Sequence, residues 1–451
     1  MNRPASEIRP PRGGLYAAVW RWHFYTGVLV VPFLLMLAVS GFLMLLSKPL
    51  DDALNRSLLS VNAGGDALPA SALLERVREA YPEASVRLYL TPESDTSAAR
   101  FSLQPEGMQG HGGHTAPSTL VYMDPYTGKI LGDRDPAASL YNRLKQFHGA
   151  LFLGDLGDAL IETAAGLAVL MIVTGLYLAW PRSQKAVRQT TGRERWRRLH
   201  LSLGWLIALP LLFFLISGLA WTNVWGGKLV QPWGSLPSTR FEAPQAPAPD
   251  HATMNEQGVH RVPWALEQTP LPRSGQGPGQ LSLDDVTAIA DAQGFDAYRV
   301  HFPQGEGAVW TVSATTIAGD LTNPADERIL HLDRASGEKL QDIRFADYPA
   351  MGKAMAASIP FHQGDLGLWN WLLNLLLVTL VTALIVTGAL LWWKRRPRWS
   401  APRAEPALSR KVAAVMLLVV LCFPLSAVAL AAIALFDAVL ITRRAQGGSR
   451  V

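Results

Sequence analysis

Four of the ten histidines fall at matching positions in two copies of one sequence pattern. Each copy begins with a histidine, which is followed by a glycine four residues later and a serine seventeen residues later: His23, Gly27 and Ser40, then His200, Gly204 and Ser217. A self-similarity of this kind is typical of a duplicated structural unit. The histidines are therefore expected to be symmetry mates.

A second pair of histidines continues the repeat. Phe147-His148 and Phe361-His362 each precede a Gly-Asp-Leu-Gly run (154–157 and 364–367) and a Val-Thr-Gly motif (173–175 and 386–388). Two copies in the same orientation imply a pseudo-twofold axis along the membrane normal. His23 and His200 are then expected at one depth of the membrane, and His148 and His362 at another.

Paired imidazoles at equal depth are what a bis-imidazole haem site between two helices requires. A haem iron that only carries electrons takes two axial nitrogen ligands, one on each side of the ring. Gly27 and Gly204, one helical turn from His23 and His200, are expected to leave room for the macrocycle. The alternative is that these histidines only anchor helices at the membrane interface.

Other residues bear on the same chemistry. Cys422 is the single cysteine, so covalent Cys-x-x-Cys-His haem attachment is excluded and the haem is expected to be haem b. Basic residues at the inner boundary are expected to meet haem propionates: Arg21, Arg197 and Arg198.

His111 and His114, in a glycine-rich stretch, form a weak candidate for an external metal or substrate contact, with a solvated loop as the alternative. No flavin or nicotinamide motif is recognisable, so electrons are expected from quinol or a separate reductase.

The elements that position the histidines are membrane spans. The chain has 451 residues, of which 49% are hydrophobic and 17% charged. The hydrophobic residues form five blocks long enough to cross a bilayer: 24–46, 159–180, 201–221, 372–393 and 412–440. The last block contains Pro424. We expect it to be one kinked span, with a short hairpin as the alternative.

Basic residues cluster before the first span and in the loops after the second and fourth spans. Short basic loops stay in the cytoplasm, which predicts a cytoplasmic N-terminus and two external segments. The net charge of +5 is explained in this way, so no nucleic-acid partner is expected.

Each external segment reads as a small α+β domain. Helices are predicted at 71–81 and 283–292, strands at 86–90 and 299–302, and hairpin turns at 124–128 and 333–337. Residues 231–280 are rich in proline, glycine and glutamine and are predicted to form a long linker.

The fold class that follows is a polytopic α-helical membrane protein, with four core spans as a tandem 2+2 repeat, a C-terminal span and two external α+β domains. The predicted segments are the N-terminus 1–22, span one 23–46, external domain one 47–147, an interfacial segment with span two 148–180, a basic loop 181–199, span three 200–224, a linker with external domain two 225–360, an interfacial segment with span four 361–393, a basic loop 394–411, span five 412–442 and a tail 443–451.

This order resembles the PepSY-associated transmembrane-helix family. The resemblance rests on Trp20 to His23, Phe-His-Gly at 147–149, the Asp-x-x-Thr-Gly turn at 124–128 and their duplication. It implies a bacterial inner-membrane ferric-siderophore reductase that contains two haems b. The implied haem ligands are His23, His148, His200 and His362, and the implied substrate is a ferric siderophore or another Fe(III) chelate on the periplasmic side. Two alternatives stay open: a non-catalytic PepSY module that regulates or assembles a partner, and a metal transporter.

Overall fold

The structure is a computed structural model. It describes residues 14–105, 118–180, 192–231, 251, 262–263, 265–267, 269–275, 279–394 and 406–447, with side chains described up to residue 439. The chain divides into two compact units. We call them the helical unit (Met1–Phe42, Phe147–Gly226 and Leu375–Val451) and the sheet unit (Leu43–Gln146 and Gly227–Asn374).

The described helices, in chain order, are α1 Gly14–Leu54, α2 Arg56–Leu59, α3 Ala70–Ala80, α4 Leu140–Ala150, α5 Asp155–Ala179, α6 Gly192–Leu219, α7 Leu283–Ala292, α8 Ala350–Gln363, α9 Leu368–Trp393, α10 Pro406–Val420 and α11 Pro424–Gly447. The strands are β1 Ala84–Leu90, β2 Ala99–Pro105, β3 Thr119–Met123, β4 Ile130–Arg134, β5 Arg299–His301, β6 Trp310–Ala314, β7 Arg328–Leu332 and β8 Lys339–Arg344.

Four of the described helices are long and apolar enough to cross a membrane: α1, α5, α6 and α9. They correspond to the four predicted core spans. Their inward faces, together with α10 and α11, form one apolar core that includes Trp22, Leu170, Ile207, Ile385 and Met416. Many large apolar side chains on the outward faces are exposed, as a surface in contact with lipid requires.

The prediction of one kinked span at 412–442 is wrong, and the hairpin alternative describes this segment. The chain turns at residues 421–423, and Pro424 begins a new helix, a position that tolerates its missing N–H. The carbonyl of Ser409 in α10 accepts a hydrogen bond from Trp22 (3.0 Å), while Asp437 in α11 pairs with the adjacent Arg21. Both ends of the segment therefore lie at the same level of α1.

The turn of this hairpin lies far from its ends. The Ser426 hydroxyl donates to the carbonyl of Thr163 in α5 (2.9 Å), and Phe423 stacks on Trp225 with ring centroids 5.9 Å apart. The 15 residues of α10 cover only about 22 Å, which is too short for a hydrocarbon core of about 30 Å. We call residues 406–447 the C-terminal hairpin.

The sheet unit contains one continuous eight-stranded antiparallel sheet in the order β4-β3-β2-β1-β5-β6-β7-β8. The sequence predicted two separate α+β domains, and the structure joins them through the pairing of β1 with β5, where Tyr89 faces Val300. Helices α3 and α7 pack over one face of this sheet, and Ser71 of α3 donates its backbone N–H to Asp284 of α7 (2.9 Å). The two repeats therefore share one core.

The predicted helix at 283–292 and the two predicted hairpin turns are present in the sheet unit. The Ser282–Asp285 capping box begins α7, and Gly128 and Gly337 adopt positive φ in the β3–β4 and β7–β8 turns. Most of the predicted linker 231–280 lies outside the described residues. Val262 and Leu266, which are described, are fully buried in a cluster with Ile329, so this part of the segment packs as core.

Candidate functional site

His23 of α1 is held by a threonine of α5. Its Nδ1 lies 2.9 Å from Thr174 Oγ1, and the Thr174 hydroxyl directs its own proton to the carbonyl of Leu170, one turn earlier (2.9 Å). With that proton engaged, the Thr174 oxygen accepts a hydrogen bond from His23 Nδ1–H. The arrangement assigns the imidazole proton to Nδ1 and leaves the lone pair on Nε2.

His200 of α6 has the same arrangement with α9. Its Nδ1 lies 3.1 Å from Thr387 Oγ1 and 3.2 Å from the carbonyl oxygen of Leu384. Because a carbonyl oxygen only accepts, His200 Nδ1 is a donor and Nε2 carries the lone pair.

A glycine follows each threonine and makes room for the imidazole. A Cβ on Gly175 would lie 3.3 Å from His23 Cε1, and one on Gly388 would lie 3.1 Å from His200 Cε1. The Thr-Gly pair of each Val-Thr-Gly motif is therefore a cradle: the hydroxyl binds Nδ1, and the glycine admits the edge of the ring. In the sequence these threonines are visible only as members of the repeated Val-Thr-Gly motif, which by itself does not predict their bonds to the histidines.

His148 of α4 is held in a third cradle, built from Ser40 and Gly41 of α1. Its Nδ1 lies 2.9 Å from Ser40 Oγ, whose proton goes to the carbonyl of Met36 (2.7 Å). A Cβ on Gly41 would lie 3.5 Å from His148 Cε1. Seventeen residues of α1 separate His23 from Ser40, so the two histidine levels are about 25 Å apart along the helix.

The surroundings of these three imidazoles suit a role as metal ligands. In the part of the chain that the structure describes, Nε2 of His23, His148 and His200 has no hydrogen-bond partner, and all three residues are half-buried. Metal-binding histidines commonly donate their other ring N–H to an oxygen, which fixes the tautomer and the ring orientation.

The family described as the PepSY-associated TM region matches residues 20–395. The chain belongs to this family. No curated protein matches the chain. Membership in the PepSY-associated family, together with the four apolar helices, shows that the chain is a multi-pass membrane protein.

The matched region contains all four predicted ligands, but the structure describes them unequally. His362 lies near the end of α8, in the sheet unit, and its backbone carbonyl accepts a hydrogen bond from Asn374 (3.2 Å). The pairing of His362 with His148 stays a prediction of the sequence repeat. His111 and His114 lie outside the described residues. Among the residues that are described, no cluster of three or more His, Cys, Asp or Glu could hold a metal ion.

Two of the glycines and one arginine have neighbours within the protein that the sequence did not predict. A Cβ on Gly27 would meet Met171 at 3.4 Å, and one on Gly204 would meet Leu384 at 3.9 Å, so both glycines face a neighbouring helix. The Arg21 guanidinium is paired with Asp437. Arg21 is therefore engaged by a carboxylate within the protein instead of being reserved for a propionate.

The sheet unit contains a histidine pair that the sequence did not reveal. His251 and His331 are fully buried, with their Nε2 atoms 3.0 Å apart. His251 Nδ1 donates to the carbonyl of Thr269 (2.7 Å), so its Nε2 accepts from His331, whose Nδ1 in turn accepts from Thr311 (2.8 Å). Burial, with smaller effects from His251 and His301, holds the pKa of His331 well below its ordinary value. The directed chain of hydrogen bonds attaches His251 and Thr269 to the sheet.

Proposed function

We propose that the protein is a membrane cytochrome b that carries electrons across the bilayer and reduces a ferric siderophore or another Fe(III) chelate outside. His23 and His200 are proposed as ligands of one haem, and His148 and His362, on the strength of the repeat, as ligands of a second. The observation that carries the proposal is the matched pair of threonine cradles, which hold two imidazoles whose Nε2 atoms have no hydrogen-bond partner among the described residues. Bound haem would supply a one-electron carrier whose iron changes little in geometry.

The roles of the chain's own residues follow from the cradles. Thr174 and Thr387 keep each Nδ1 protonated and fix the plane of each ring. Gly175 and Gly388 let each ring lie against the neighbouring helix. Donation from Nδ1–H to an oxygen makes the opposite nitrogen a stronger ligand. Two equivalent cradles on α5 and α9 would therefore present two equivalent axial ligands.

The substrate and the electron donor rest on the family resemblance and on chemistry. Hydroxamate and catecholate oxygens hold Fe(III) far better than Fe(II), so reduction releases the iron. Electrons are proposed to come from quinol or from a separate reductase. The family resemblance favours the inner membrane of a bacterium. The basic residues near the spans favour an N-terminus in the cytoplasm, which would place the sheet unit in the periplasm.

Absorption spectra of the purified full-length protein, oxidised and dithionite-reduced, test the cytochrome. We expect b-type bands and two haems per chain. His23→Ala and His200→Ala should each remove one haem, while His114→Ala should remove none. A colourless, folded preparation from haem-replete cells would overturn the proposal in favour of a regulatory PepSY module.

A vesicle assay tests the reductase. Protein reconstituted with a reduced quinol analogue is mixed with an external Fe(III)–hydroxamate and an Fe(II)-specific dye. We expect dye–Fe(II) formation with wild type and at least tenfold slower formation with His200→Ala. A haem-loaded wild type that forms no Fe(II) would refute the reductase and keep the cytochrome.

A further inference from the structure

The C-terminal hairpin binds the turn of α1 that carries His23. Trp22 and Arg21, just before His23, contact Ser409 and Asp437, and Tyr25, just after it, donates its hydroxyl to Asp437 (2.7 Å). Arg21 Nε lies 3.1 and 3.3 Å from the two carboxylate oxygens of Asp437. Asp437 thus binds the face of α1 that carries Arg21 and Tyr25, and His23, a proposed haem ligand, lies two residues along the helix from each of them.

This ion pair is deeply buried in the helical unit. The side chains of Arg21 and Asp437 are 6% and 4% exposed. A guanidinium stays protonated in proteins, so Arg21 contributes a full positive charge beside His23 unless an anion neutralises it. Asp437 supplies that anion, and the Tyr25 hydroxyl adds a hydrogen bond to the carboxylate.

The hairpin lies outside the part of the chain that matches the family. The family match ends at residue 395, whereas the hairpin spans 406–447. Two helices, α1 and α6, carry the histidines that Thr174 and Thr387 hold. The bonds described above join the hairpin to the turn of α1 that carries His23. The hairpin therefore gives His23 an electrostatic setting that the duplicated core does not encode.

We propose that Asp437 sets the reduction potential of the haem bound by His23, by neutralising Arg21. This inference rests on the proposed function. An uncompensated positive charge near the iron favours Fe(II) over Fe(III). Loss of the carboxylate charge should thus raise the potential of this haem and leave the second haem unchanged.

The test compares Asp437→Asn with the double variant Arg21→Gln/Asp437→Asn in the full-length protein. As an order-of-magnitude case, a unit charge that acts over a distance on the order of 10 Å, at an effective dielectric constant of about 20, changes an equilibrium roughly tenfold. In Asp437→Asn we expect the ferric-to-ferrous ratio of one haem, at a fixed ambient potential, to fall about tenfold. In the double variant, which restores neutrality, the ratio should return to within about twofold of wild type.

Redox titration of haem absorbance, haem content per chain and thermal stability are measured together. Asp296→Asn, an exposed substitution with the same charge change, is the control and should leave both potentials unchanged. An unchanged potential in Asp437→Asn, or an equally raised potential in the double variant, would overturn the proposal. If Asp437→Asn does not fold, the double variant and Asp437→Glu decide the question: both should show the wild-type potential, and a raised potential in either would overturn it. A colourless wild type refutes the proposed function instead.

Discussion

Thr174→Val removes the oxygen that accepts the His23 Nδ1 proton and changes little else. Valine has nearly the same shape as threonine, and Thr174 is buried at 5% exposure, so the methyl group fills the same space. The His23 N–H would then lose its 2.9 Å partner inside the helical unit.

The expected size follows from the cost of an unsatisfied buried donor. Such a donor costs about 1–3 kcal/mol, and about 1.4 kcal/mol corresponds to a factor of ten in an equilibrium constant. The range is therefore roughly 5- to 150-fold. Loss of the oxygen partner of a metal-binding histidine typically weakens metal binding about 10- to 100-fold. We expect haem at the His23 site of Thr174→Val to bind about 10- to 100-fold more weakly.

Transfer of haem from the purified protein to excess apomyoglobin measures this change. Thr163→Val is the matched control: Thr163 lies on the same helix, and its hydroxyl also donates to the carbonyl four residues earlier (Ala159, 2.7 Å). The control should transfer haem as wild type does. Wild-type retention of both haems in Thr174→Val would refute the inference that the Nδ1 hydrogen bond orients His23 as a ligand.

Two further predictions concern the second cradle and the sheet unit. Gly388→Ala places a Cβ 3.1 Å from His200 Cε1 and should lower the haem content per chain. Gly204→Ala, whose Cβ would lie 3.9 Å from its nearest neighbouring atom, should leave the haem content unchanged. The reverse result would mean that Gly204 lines the haem. Burial raises the pKa of Glu327 from 4.5 to about 7, despite hydrogen bonds from Thr316. A carboxyl group that is harder to ionise in the folded state makes stability fall as pH rises from about 4.5 to about 7, by about 3 kcal/mol. Glu327→Gln should remove this decline. The check is the difference in apparent Tm between wild type and variant across that pH range, and identical pH profiles of the two proteins would contradict the raised pKa of Glu327.

Several elements could be predicted from the sequence because their causes are local. In lipid, a run of about twenty apolar residues satisfies its backbone hydrogen bonds only as a helix. The four helices recognisable from hydropathy along the sequence are therefore α1, α5, α6 and α9. The Asp-x-x-Ser/Thr-Gly turns place glycine where φ is positive, as at Gly128 and Gly337. The repeat itself identified His23 and His200 as equivalent.

The tertiary structure decided what depends on contacts between distant segments. Thr174 and Thr387 were recognisable as parts of a repeat, but their bonds to His23 and His200 join residues more than 150 positions apart. The same holds for the β1–β5 pairing that makes one sheet of two predicted domains.

The C-terminal hairpin is the clearest example of a segment whose path the sequence alone does not determine. A proline in a long apolar block is compatible with a kinked span or a hairpin, because both bury the same side chains. The hairpin is selected by bonds that only the folded chain makes: Ser409 to Trp22 and Asp437 to Arg21 at one level, and Ser426 to Thr163 at the other. Hydropathy records how much apolar surface a segment must bury, whereas the direction of the chain depends on where its few polar groups find partners.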